Sequence, residues 1–84
     1  EEREILRLQV AGIDDEILEY VLGFLRAAHL ADLRYSVRDG INIARYAMKV
    51  LKRREADNAK QAVDISLRLA IGEEEAEPFR FATD

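Results

Sequence analysis

Cysteine and tryptophan are absent from this sequence, and its 84 residues include one histidine, one proline and four glycines. Without cysteine there is no disulfide and no thiolate chemistry, and a single histidine cannot complete a Cys/His zinc site. A reducing compartment fits. No apolar run approaches the ~20 residues that a membrane-spanning helix needs. The opening EEREIL is charged and acidic, unlike a signal peptide. A cytoplasmic location is therefore expected, with no membrane partner. The helical pattern is already under way at the first residues, with no capping residue ahead of it, so the chain reads as a piece of something longer. With glycine only at 12, 23, 40 and 72 and proline only at 78, breakers are too scarce for anything but a nearly all-helical chain.

Apolar residues make up 49% and charged residues 36%, the balance of a folded domain and not of a disordered segment. A single domain this short buries roughly 60–65% of its unfolded surface, enough to fold with little to spare. The net charge of −4 argues against a general nucleic-acid binder, because such affinity comes mainly from neutralised phosphates.

The periodicity predicts four helices. The first covers about Glu2 to Val10, with apolar contacts from Ile5, Leu6, Leu8 and Val10 and a stop at Gly12. Asp14 is placed to cap the second, about Asp15 to Leu33, with Asp15 and Glu16 where the helix dipole favours them. Leu18, Val21, Leu22, Leu25, Ala28 and His29 form its stripe, widened by Ile17, Phe24 and Ala31; Gly23 reads as a point of close helix packing. The third begins after RYS and ends near Glu55. Val37, Ile41, Ala44, Met48 and Leu51 make one apolar face, and Ile43, Ala47 and Val50 make a second. The fourth opens at Asp57 as N-cap and stops at Gly72. The expected architecture is all-α, a compact four-helix bundle over residues 1–72. Residues 73–84 form a non-helical acidic tail carrying Phe79 and Phe81, either flexible or docked as a short extended segment.

Familiar catalytic motifs are missing. There is neither a GxxxxGK[ST] phosphate loop nor a GxGxxG turn. Ser36 and Ser66 have no histidine near them in sequence. Asp14 and Asp15 are explained as a helix start, His29 as a partly buried, hydrogen-bonded core or edge histidine, and Glu73 to Glu75 as part of the tail; no metal site is expected. The chain alone carries no credible catalytic set.

One feature resists the bland reading. In YSVRDG, Ser36 is the N-cap of the third helix and Asp39 its N3 residue, an aspartate version of the capping box. Arg38 then sits in the first turn, where unpaired N–H groups and the dipole already place positive charge. On an isolated helix this costs roughly 0.3–1 kcal/mol before Asp39 offsets it. An anion reverses the sign: bare amides, a dipole end and a guanidinium together suit a phosphate. Gly40 keeps that corner thin so that another surface can approach. The plain alternative is that Arg38 pairs with Asp39 or another carboxylate and does nothing more.

These residues carry a resemblance. RYSVRDGINIARYAMKVLKR resembles the third helix of the C-terminal lid of AAA+ ATPases, most like the MoxR-like branch, where the helix opens with serine, one residue, then arginine. EREILRLQVAGIDDEILEYVLGFLRAAH is similar to the first two lid helices, and DNAKQAVDISLRLAI to the fourth. The resemblance covers about residues 1–72. It implies that Arg38 is the sensor arginine, reaching the γ-phosphate of ATP held with magnesium on a core domain in cis. Hydrolysis would be transmitted as lid movement in a ring of subunits, with Ser36 and Asp39 capping the site and Val37 lining the adenine side. In that branch proline often stands where this chain has Val37. The nucleotide-binding core lies outside these residues, so the fragment alone is not expected to bind or hydrolyse ATP.

Two other readings remain open. One is a small helical interaction or oligomerisation module, with the PFRF segment as its best feature and no role for Arg38. The other is a nucleic-acid binder using Arg45, Lys49, Lys52, Arg53 and Arg54, set against a simple solvated face.

Overall fold

Three of the helix starts in this chain are fixed by side chains, and the ends of the two longest helices by backbone turns. The computed structural model describes residues 1–79. It holds α1 (Glu2–Gln9), α2 (Asp15–Leu30), α3 (Val37–Lys52), α4 (Ala59–Ile71) and a short α5 (Glu73–Ala76). No strand occurs among the described residues. Asp14 caps α2 as expected: its Oδ1 accepts from the N–H groups of Glu16 at 2.9 Å and Ile17 at 3.2 Å. At α4 the cap is Asn58, one residue later than the Asp57 expected. Asn58 Oδ1 accepts from Gln61 N–H at 2.9 Å, while Gln61 Oε1 reaches back to the Asp57 N–H at 2.6 Å.

Both long helices stop about three residues earlier than the periodicity predicts, and both stop the same way. Asp32 (φ 58°) and Arg54 (φ 59°) adopt the left-handed conformation. The N–H of Leu33 then bonds back to the Ala28 carbonyl at 2.9 Å, and that of Glu55 to the Val50 carbonyl at 3.0 Å. This is the wrap that normally uses glycine, made here by residues that accept a modest conformational cost.

Helices α2, α3 and α4 pack against one another, and α1 lies against α2 and α3. The core centres on Phe24, Leu6, Ile17, Leu18, Leu25, Ile43 and Leu67, all essentially inaccessible. Of the two apolar faces expected on α3, the buried one is Gly40, Ile43, Ala44, Ala47 and Val50. Val37, Ile41, Met48 and Leu51 are half-buried at its margin. In α1, Leu6 and Val10 are buried but Leu8 is 81% exposed, so its expected core contact is not made. Ala31 is likewise exposed, and Gly23 is half-buried. The Cα radius of gyration, 11.4 Å, is that of a compact chain, for which about 12 Å is usual at this length.

The tail expectation needs correcting. Residues 73–76 are helical and 77–79 continue as a tight turn. Ala76 and Phe79 are 4% and 2% exposed and belong to the same core as residues 1–72. The glycine that ends α4 (Gly72, φ 91°) redirects the chain so that Phe79 enters between Phe24 and Tyr35. Its ring centroid lies 4.7 Å from that of Phe24, edge-on, and 6.2 Å from that of Tyr35. Edge-to-face contacts of this kind are worth ~0.5–1.5 kcal/mol beyond the area they bury. Phe81 lies outside the described residues.

Candidate functional site

The corner between α2 and α3 is built on Tyr35, which packs its ring 5.4 Å from Phe24. The next residue, Ser36, takes an extended conformation (φ −109°, ψ 175°) and starts α3. Its N–H donates to Asp39 Oδ2 at 2.8 Å, and its hydroxyl donates to the same oxygen at 3.3 Å. The Asp39 carboxylate is thus turned back onto the cap. Val37 packs against the core cluster, in keeping with its place on an apolar face of the third helix.

Gly40 is the residue whose expected role changes. The sequence reading left its corner thin for an outside surface; the surface that approaches is α2. A Cβ at Gly40 would stand 2.9 Å from Leu25 Cδ1 and 3.3 Å from Val21 Cγ1. The start of α3 is therefore pressed against the middle of α2, and its direction is set by that contact.

Arg38 is exposed. Among the described residues no carboxylate lies within ion-pair distance of it, Asp39 included. The arginine is carried by a firmly mounted turn whose own acid is engaged with Ser36, and its guanidinium is left to solvent.

The other candidates separate from this corner. Asp14 is a cap and Asp15 lies 3.6 Å from Arg7, so the acid pair serves the start of α2. His29 is exposed, with Nε2 3.8 Å from Glu2 Oε2; it stands at an edge, one of the two places expected, but is more exposed than expected. Ser66 is buried and donates its hydroxyl to the Ala62 carbonyl at 2.7 Å. Glu73 lies 3.9 Å from Arg68. No group of three or more potential metal ligands comes together among the described residues. No helix there is long and apolar enough to cross a membrane.

Sequence reasoning missed Tyr35, which ties the corner to α5 through its hydroxyl, 3.5 Å from Glu75 Oε2. Burial first, and then the Glu75 carboxylate, raises the Tyr35 phenol above its ordinary value. The unfolded phenol ionises first, near pH 10, while the folded one holds its proton. The native state then binds more protons, so stability falls as pH rises through and beyond about 10. Urea melts at pH 9 and 11 should show this loss, and Tyr35→Phe should lessen it.

Compared with known proteins, the chain matches no protein-family model, no curated protein and no solved structure.

Proposed function

We propose that this chain is the lid of an AAA+ ATPase of the MoxR-like type, and that Arg38 is its sensor arginine. In this reading the core domain in cis holds ATP and magnesium. Arg38 contacts the terminal phosphate, and α3 carries the change at hydrolysis into the lid as a rigid lever. The observation that carries the reading is the state of Arg38: a cation at the positive end of a helix, exposed, with no internal carboxylate among the described residues to balance it. The contacts of Ser36, Asp39 and Gly40 hold the backbone turn that carries Arg38. The order of the four main helices, of 8, 16, 16 and 13 residues, fits the same class.

The reading requires a P-loop domain encoded upstream in the same open reading frame. In that full-length protein Arg38→Ala should lower ATP turnover by about 10²–10³, the usual effect of removing one preorganised charge donor. The isolated chain carrying Arg38→Ala should keep its unfolding free energy to within ~0.5 kcal/mol, as an exposed, unpaired side chain implies. Unchanged turnover, or a reading frame with no P-loop, would sink the proposal.

For the interaction-module alternative, Phe79 of the PFRF segment is buried in the core, Phe81 lies outside the described residues, and Leu8, Leu30 and Leu69 are exposed apolar side chains that a partner could meet.

A further inference from the structure

The exposed face of α3 is basic over its C-terminal half. Arg45 and Lys49 of α3 and Arg53 at its C-cap recur every four residues, with Lys52 beside them, and all are exposed. Elsewhere Arg3 binds Glu19, Arg7 lies 3.6 Å from Asp15, and Arg68 lies 3.0 Å from Asp64. No described carboxylate comes within ion-pair distance of the four cations on α3, although the chain holds 17 acidic residues. The helix dipole accounts for cations in the last turn, which covers Lys49 and Lys52, but Arg45 lies a turn earlier. Arg45 is also oriented: its Nη2 donates to the Gln9 carbonyl at 3.1 Å, at the end of α1. Tyr46, 41% exposed, flanks the row. Arginine and tyrosine are the side chains that most often anchor protein interfaces.

We infer that the 45–53 face of α3 docks an acidic α-helix of another protein. Cations four residues apart on a helix repeat every ~6 Å, and glutamates four residues apart on a facing helix repeat at the same interval. The row is short, and acids stand on either side of it in sequence, with Asp39 before it and, past Arg54, Glu55 and Asp57 after it. A nucleic-acid duplex carries a charge every ~1.7 Å and runs past both ends of the row, onto those acids and a chain of net charge −4. A two-turn acidic helix fits between them. This inference involves neither Arg38 nor nucleotide, and it stands or falls apart from the proposed function.

The test is a titration of the ¹⁵N-labelled chain, followed by amide shifts, with a capped alanine-rich helical peptide bearing glutamate at every fourth position. Shifts should concentrate on residues 45–53 and weaken as salt is added. The double variant Lys49→Glu/Arg53→Glu should bind about tenfold more weakly, with an unchanged circular dichroism spectrum because both side chains are exposed. Lys49→Gln/Arg53→Gln should fall between the two. No saturable binding, shifts centred on another surface, or equal affinity for the charge-reversed variant would overturn the inference. Tighter binding of a short DNA duplex than of the peptide would overturn it as well, and assign the face to phosphate.

Discussion

Phe24→Ala is expected to cost about 3–5 kcal/mol, the usual price of deleting a fully buried phenylalanine. A domain of this size is stable by only about 4–12 kcal/mol in total, so the variant should lose a quarter or more of that and, at the lower end of the range, unfold. Phe24 has no exposed surface, and it is the ring that Tyr35 and Phe79 share. Its loss opens a cavity between α2, the corner before α3 and the turn after α5. Surrounding side chains cannot close it without moving three segments at once. Urea melts of the wild type, Phe24→Ala and Phe24→Leu provide the check, with the leucine variant clearly the milder. Phe79→Ala should cost less than Phe24→Ala, because the last described turn can detach without opening the bundle. A cost below ~1 kcal/mol for Phe24→Ala would mean that the three rings do not pack as described.

Gly40→Leu is expected to have the second largest effect, a loss of about 1–3 kcal/mol or more from forcing a large side chain into a packed contact. The side chain would have to enter where even a Cβ stands 2.9 Å from Leu25. Gly40→Ala is the informative companion. Alanine gains up to ~1 kcal/mol in helix propensity over glycine. The closest atom it meets, Leu25 Cδ1, is the end of a flexible side chain that can turn aside. The two contributions nearly cancel, and Gly40→Ala should stay within about 1 kcal/mol of wild type. The leucine variant should also shift the amide resonances of residues 36–39, since the start of α3 must move off α2. A Gly40→Leu protein as stable as wild type, with the corner unmoved, would show that the close approach is not maintained.

The four main helices were legible from the spacing of apolar residues, because a helix that buries one face must repeat it every three or four positions. The Asp14 cap was legible for the same local reason. The early ends of α2 and α3 were not. Asp32 and Arg54 take a conformation that glycine usually marks, and no glycine stands at either place. Leu8 was misread because α1 is covered by α2 and α3 on one side only, so an apolar residue there need not find a neighbour. The acidic run 73–75 concealed the fate of Phe79: its net charge reads as solvated, yet Ala76 and Phe79 are buried in the core. At the candidate site, the Ser36–Asp39 pairing lay within four residues and could be read directly. The role of Gly40 depends on α2, some fifteen or more positions earlier, and no local pattern reveals such a contact.

The aromatic trio has a consequence for the order of assembly. Phe24 and Tyr35 are near neighbours in sequence and meet as soon as α2 and its following turn form, whereas Phe79 arrives from almost the far end of the described chain. Closing so long a loop carries an entropic cost that is offset only once the helices between are already packed. The last ring is therefore expected to seat late, and a bundle without it would leave Phe24 and Tyr35 uncovered beside the turn that holds Arg38.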